Sequence, residues 1–224
     1  MGRGAVKRLG AIFDLDGVLV DTAKFHYLAW KELAAKLGFE FTKEQNERLK
    51  GVSRMESLEL LLRTGGLQNR FSEREKERMA AWKNDRYVER VGRMNASDLL
   101  PGAADLLRAL KQDGIRTALG SASKNAPLVL RATGIGPLFD AVIDGNGITR
   151  AKPDPQVFLL AAAAVGLAPA TCAVFEDSRT GLTAAKRAGM LAIGIGSPET
   201  LDNADAVYPN LAAVERSRYF GAGG

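Results

Sequence analysis

Several things are scarce in this chain, and each scarcity narrows the field. Cysteine is nearly absent: Cys172 stands alone, which rules out an internal disulfide and fits a reducing cytoplasm. Its neighbours Ala173, Val174 and Phe175 make it a small buried strand residue rather than a nucleophile. Long apolar runs are missing too. The longest, Val157 to Ala168, is too short to span a bilayer and is interrupted by Gly166. The basic start MGRGAVKR is followed by no apolar stretch, so a secretory signal is not expected. No basic run is interleaved with aromatics, so the net charge of +5 does not mark a nucleic-acid surface. Lysines and arginines are spread among acids, and a phosphorylated small molecule accounts for the charge equally well. Internal repeats and low-complexity stretches are likewise lacking.

What is present is ordinary bulk and an unusual set of strand ends. At 224 residues the chain can form one substantial core plus a smaller insertion. With 46% hydrophobic and 25% charged residues, it has the composition of a soluble globular protein. The pattern is organised around FDLDGVLVDT, Phe13 to Thr22. The apolar run Leu9 to Phe13 reads as a buried parallel strand, and it ends in Asp14, Leu15, Asp16 and Gly17. Carboxylates two residues apart at a strand end point to one side of the sheet, in the region where open α/β sheets bind ligands. Such a pair serves as readily in a turn or helix cap; the later strand ends decide between the two.

Beyond Thr22 the period changes. Phe25, Leu28, Ala29, Leu33 and Leu37 recur at helical spacing, with Gly38 closing the helix. Further helices are predicted over Thr42 to Lys50, from Ser53 through Met55, Leu58, Leu61 and Leu62, and over Ser72 to Val91. Residues 22–98 therefore read as an all-helical cap domain, inserted between residues 1–21 and 99–224 of an α/β core, with hinges near Thr22 and Asp98. After Pro101 helices and strands alternate. Helices are expected at Ala103–Gln112, Lys124–Thr133, Pro155–Val165 and Arg179–Ala188. Strands are expected at Ile115–Gly120, Ala141–Ile143, Cys172–Phe175, Leu191–Ile195 and, at an edge, Ala206–Tyr208. This is the signature of a doubly wound, mainly parallel sheet. The terminal GAGG is expected to be disordered.

Polar residues recur at the strand ends. Ser121, Ala122, Ser123, Lys124 and Asn125 lead into a helix, where free N–H groups favour an anion. Glu176, Asp177 and Ser178 end another strand, and Lys152 precedes Pro153 between them. Four carboxylates cannot share one crevice unpaired. One lysine and an oxygen-liganded dication resolve the conflict, and Mg²⁺ suits a few carboxylates completed by water and phosphate oxygen.

These stretches together resemble the motifs of the haloacid dehalogenase superfamily of phosphotransferases, over nearly the whole chain. HYLAW (His26 to Trp30), LKGVSR (Leu49 to Arg54), KND (Lys83 to Asp85) and SASKN (Ser121 to Asn125) resemble, more narrowly, its phosphosugar mutase branch. Members of that branch interconvert β-glucose 1-phosphate and glucose 6-phosphate through a bound β-glucose 1,6-bisphosphate. The resemblance implies Asp14 as nucleophile and Asp16 as general acid and base, with Ser121 and Lys152 holding the transferring phosphoryl group. It implies Mg²⁺ on Asp14, the carbonyl of Asp16 and Asp177, with Glu176 beside or among the ligands. It implies a second phosphate site at Arg54, Ser123 and Asn125. Sugar contacts would come from Gly51, Val52, Ser53, Ser57 and Lys83, and the cleft would also include Ala122, Lys124, Trp30 and the single histidine, His26. The stretch GNGITR (Gly145 to Arg150) departs from the family pattern. The implied partner is a small phosphorylated sugar, with no nucleic acid and no membrane, and the enzyme would work as a monomer. The alternative is a Mg²⁺-dependent sugar-phosphate or phosphoglycolate-type phosphatase on the same core; Arg54 within LKGVSR argues against it.

Overall fold

The structure is a computed structural model and describes residues 8–49 and 52–221. Strand β1 (Gly10–Phe13) is followed by helices α1 (Ala23–Lys36), α2 (Lys43–Glu47), α3 (Arg54–Thr64) and α4 (Glu73–Val91). The alternating part then runs α5 (Ala103–Gln112), β2 (Arg116–Gly120), α6 (Ala126–Thr133), β3 (Ala141–Ile143), α7 (Gln156–Ala164) and β4 (Cys172–Glu176). It closes with α8 (Arg179–Arg187), β5 (Leu191–Ile195), β6 (Ala206–Tyr208) and α9 (Arg216–Tyr219).

The strands form one parallel sheet in the order β3-β2-β1-β4-β5-β6. This is the doubly wound arrangement, with β1 at the centre and the order reversing on either side of it. Alternate residues of each strand go to opposite faces. Ala11 and Phe13 join α5 and α6 in one apolar cluster, while Ile12 joins α7 and α8 in another. Phe13 stacks on Phe175 of β4 with centroids 4.6 Å apart. Both faces of the central strands are thus closed off, so their polar groups emerge only at the carboxyl ends.

The inserted helices have a third cluster of their own, including Trp30, Phe41, Leu58, Leu61, Leu62 and Ala80. Ala29 of α1 and Tyr87 and Val91 of α4 belong instead to the cluster on the sheet. The two crossings lie side by side: Val20 bridges Leu99, and the amides of Leu100 and Asp21 donate to Leu19 (2.9 Å) and Asp98 (3.3 Å).

Local chemistry explains most boundaries. Thr42 and Ser72 each form a reciprocal capping box with Gln45 and Glu75, and Ser53 caps α3 by accepting from Glu56 at 3.3 Å. Some expectations are corrected. α2 ends at Glu47 rather than Lys50, because the Leu49 amide turns back to Asn46 O at 2.9 Å; Lys50 itself lies outside the described residues. α6 begins at Ala126, not Lys124, because the hydroxyls of Ser121 and Ser123 take up the amides of Ser123 and Asn125. Leu28 is 41% exposed rather than part of the buried stripe, which runs through Ala29, Trp30, Leu33 and Ala34. α7, β4, α8 and the other elements differ from expectation by a residue or so at their ends. The tail residues 222–224 lie outside the described set.

Candidate active site

The carboxyl ends of β1, β2 and β4 open into a cavity of about 310 Å³, roofed by the inserted helices. Asp14 follows β1, and its amide continues the ladder to Phe175 O at 2.9 Å. Its carboxylate is buried against Lys152, whose Nζ donates to Asp14 Oδ1 at 2.6 Å and to Glu176 Oε1 at 2.8 Å. The other oxygen of Glu176 accepts from the amide and hydroxyl of Ser178. Glu176 is therefore bonded at both oxygens, and it holds the lysine beneath the cavity without lining it. Gly17 has φ +83°, and a Cβ there would fall on the Asp177 carboxylate. Glycine is what lets the β1 loop pass this close to the second acid.

Asp14, Glu176 and Asp177 each offer an oxygen within 4.8 Å of the others. Burial pushes the Asp14 carboxyl well up, with Lys152 pulling the other way. The Lys152 ammonium is raised despite its own burial, because two carboxylates receive it. The Asp16 carboxylate lies outside this cluster and faces the helices. The Thr22 hydroxyl donates to its Oδ1, and His26 Nε2 stands 3.7 Å from the same atom. Burial raises the Asp16 carboxyl, with the Thr22 hydrogen bond and Lys83 opposing.

The roof has a different character. Lys83 of α4 is buried, with its Nζ 2.7 Å from His26 Nδ1 and 4.6 Å above the Trp30 ring. Burial and Arg54 pull its ammonium down to about 7. Burial, Lys83 and Arg54 hold the His26 imidazole well below its usual range. A neutral His26 with its proton on Nε2 can accept from Lys83 at Nδ1 and present Nε2 to Asp16. The His26 ring stacks on Tyr87 at 4.0 Å. Arg54 is the first residue of α3; burial lowers its guanidinium somewhat, and Asp85 opposes.

Of the residues singled out in the sequence, the cavity is lined by Asp14, Asp16, His26, Trp30, Val52, Ser53, Arg54, Ser57, Lys83, Ser121 to Asn125, Lys152 and Asp177. Gly51 lies outside the described residues. The GNGITR stretch contributes Gly145, Ile148 and Thr149 to the wall. It is fastened to the serine turn by the Gly145 amide on Ser123 O (3.2 Å) and by Asn146 Nδ2 on Lys124 O (3.2 Å). The sequence reading missed Thr22, Tyr87, Asn46 and Asn84. Asn84 lay inside a quoted motif without a role, and Thr22 was read only as a motif end and hinge. Asn84 Oδ1 accepts from Asn125 Nδ2 at 2.7 Å, joining α4 to the serine turn.

Fold and site together define a protein class, and the chain belongs to the haloacid dehalogenase-like hydrolases, whose family model matches residues 10–189. Within that class it is similar to a β-phosphoglucomutase of Bacillus subtilis, with 44% identity over 88% of this chain and 87% of the relative. A β-phosphoglucomutase structure from Clostridium difficile superposes with a TM-score of 0.90 and 40% identity, covering 94% of this chain and 95% of the other. A phosphorylated carbohydrates phosphatase of Thermotoga maritima is more distant, at 30% identity over 80% of this chain and 81% of the relative. No helix among the described residues is long and apolar enough to cross a membrane.

Proposed function

We propose that this chain catalyses the β-phosphoglucomutase reaction, converting β-glucose 1-phosphate to glucose 6-phosphate through phosphorylated Asp14 and bound β-glucose 1,6-bisphosphate. The observation that carries the proposal is that one cavity takes cationic and hydroxyl groups from both the core and the inserted helices. Lys152 bonds Asp14 on the core side, with Ser121 in the same lining, and Arg54 comes from the helical roof. A phosphatase needs only the first set. A mutase must grip a bisphosphate in either orientation, and similarity to two proteins named as β-phosphoglucomutases supports that choice.

In this reading phosphorylated Asp14 donates its phosphoryl group to the 6-hydroxyl of β-glucose 1-phosphate while Asp16 takes the hydroxyl proton. The bisphosphate then turns over. Asp14 attacks the phosphorus at position 1, and Asp16 returns its proton to the departing anomeric oxygen. Glucose 6-phosphate leaves, and the phosphoenzyme is restored. A carboxyl raised by burial suits a group that must both give and take a proton. Ser121 and Lys152 hold the transferring oxygens, while Arg54, Ser123 and Asn125 hold the distal phosphate. Val52, Ser53, Ser57 and Lys83, with His26, Trp30, Ala122 and Lys124, enclose the sugar. Three carboxylates with all-oxygen donors fit Mg²⁺. Asp14, Asp177 and the Asp16 carbonyl would hold it, with Glu176 alongside. When bound, it offsets the charge of the phosphoryl group facing Asp14.

Residues 1–21 and 99–224 act as the core and 22–98 as a cap that opens at Thr22 and Asp98 to admit substrate. The enzyme works as a monomer in the cytoplasm, where a buried free Cys172 stays reduced. The test supplies β-glucose 1-phosphate in Mg²⁺ buffer with a trace of the bisphosphate, and counts glucose 6-phosphate against inorganic phosphate. Glucose 6-phosphate should dominate. Predominant phosphate release across a panel of hexose phosphates would establish a phosphatase instead.

A further inference from the structure

The stretch GNGITR, Gly145 to Arg150, stands out in the sequence, yet the chemistry above gives it no task. It lies between β3 and Lys152, and Gly145, Ile148 and Thr149 line the cavity. Its first half is fixed to the serine turn through Ser123 O and Lys124 O. The fit there is close: a Cβ on Gly145 would fall 2.2 Å from Ala122 O. Ile148 packs on the cluster of α7 and α8. Beyond it, two successive amides go to one side chain, that of Gln156, the first residue of α7, which does not itself line the cavity. Gln156 Oε1 accepts from the amides of Thr149 at 2.9 Å and Arg150 at 2.7 Å, which uses both of its lone pairs. Gln156 Nε2 donates to the Thr149 hydroxyl at 3.1 Å. Arg150 adds only a largely exposed ion pair to Asp154 at 3.3 Å, a weak tie. Lys152 does not depend on this brace, because Asp14 and Glu176 hold its ammonium at 2.6 and 2.8 Å.

We propose that Gln156 is a positioning residue that holds the Ile148–Thr149 wall against the bound sugar phosphate and so sets the affinity of the site, without taking part in phosphoryl transfer. The inference rests on the sugar-phosphate reading of this site. A wall that meets substrate and transition state alike contributes to KM and leaves kcat nearly unchanged. Releasing the two amides frees the backbone between Ile148 and Lys152, and ligand binding must then order it again.

The test compares the full chain with Gln156→Met, which keeps the length and removes every bond. Gln156→Ala is run in parallel in case the methionine variant fails to fold. On β-glucose 1-phosphate either variant should raise KM about fivefold or more and change kcat by less than about twofold. Phosphorylation of the enzyme by acetyl phosphate should be unaffected. Gln156→Glu keeps an acceptor for both amides; in high salt, which screens its added charge, it should recover most of the lost affinity. In a background trimmed by Ile148→Ala and Thr149→Ala, Gln156→Met should raise KM little further, because the wall it positions is gone. An unchanged KM, an equal loss with acetyl phosphate, no recovery in Gln156→Glu, or the same factor in both backgrounds overturns the proposal. If wild type yields inorganic phosphate instead of glucose 6-phosphate, the mutase reading fails. The same KM comparison, read as phosphate released from a hexose phosphate, still decides the role of Gln156.

Discussion

Two lysines meet in this cavity, both almost wholly buried, and their surroundings give them opposite properties. Lys152, from the loop before α7, lies between Asp14 and Glu176 at 2.6 and 2.8 Å. Its ammonium is raised above its ordinary value. Lys83, on α4, faces a neutral imidazole, two aromatic rings and a nearby arginine, and its ammonium is drawn down to about 7. Burial alone disfavours the charge in both cases. What differs is how much anion the fold supplies. On the core side two acids bond the lysine, which holds them in place. On the roof only Asp16 attracts it, too little to offset burial and Arg54, and a phosphorylated ligand would add charge. The core lysine thus has its counter-charge built in, while the roof lysine largely lacks one.

The comparison breaks most completely at Asp14. Asp14→Asn should abolish turnover and trapping of a phosphoenzyme, because an amide cannot accept the phosphoryl group. Acid-quenched phosphoenzyme measurements check this, and retained turnover with unchanged stability would remove Asp14 as nucleophile. Lys152→Met comes next. It leaves Asp14 and Glu176 facing each other uncompensated, and should cost about 3–5 kcal/mol of stability, the usual range for breaking a buried pair. Urea unfolding without added metal is the measurement.

At the other end, Arg54→Ala should cost about 2–5 kcal/mol in mutase efficiency while leaving urea stability nearly unchanged. Phosphorylation of the enzyme by acetyl phosphate, which has no distal phosphate, should change little. Equal losses with both donors would assign Arg54 another role. Lys83→Met sharpens the contrast through pH. Unfolded, the lysine titrates near 10.4; folded, near 7. The unfolded chain therefore binds more protons across that window, and the lysine's destabilising effect fades as pH rises through it. Below about pH 7 the penalty is complete. Lys83→Met should accordingly raise the melting temperature of the free protein most at or below neutral pH and least near pH 10, while lowering activity. A variant that melts lower throughout would show that Lys83 is structurally paired. The smallest effect belongs to Asn84→Ala, which removes one neutral bond to Asn125. It should cost about 1 kcal/mol in efficiency.

How much of this was legible in the sequence depends on the interaction involved. Period and punctuation located every strand within a residue or so, because apolar runs ending in Asp14, Ser121 and Glu176 leave little choice of register. Capping chemistry at Thr42 and Ser53 was equally readable, since it is written within a few residues. What escaped were contacts made across long separations by residues with no local signal. The Asn84–Asn125 bond joins two elements far apart in the chain, and Asn46 reads as one polar residue among many until the cavity surrounds it. Leu28 failed in the other direction. It fits the helical period, but the two apolar clusters that α1 meets are covered by Trp30 and Leu33 on one side and Ala29 on the other, leaving Leu28 outside both.

The central position of β1 also governs the order in which this protein can be made. Synthesis delivers the chain from its N-terminus, so Gly10 to Phe13 emerge first, yet their partners are Arg116 to Leu119 on one side and Cys172 to Phe175 on the other. Between them lie helices whose own cluster draws mainly on near neighbours, from Trp30 to Ala80. Local contacts form fast and distant ones slowly. A growing chain therefore packs its roof while its first strand waits unpaired, and the acids of β1 and β4 come together only after most of the polypeptide has been synthesised. A nascent fragment can hold the inserted helices, but not the pair of acid-bearing strand ends.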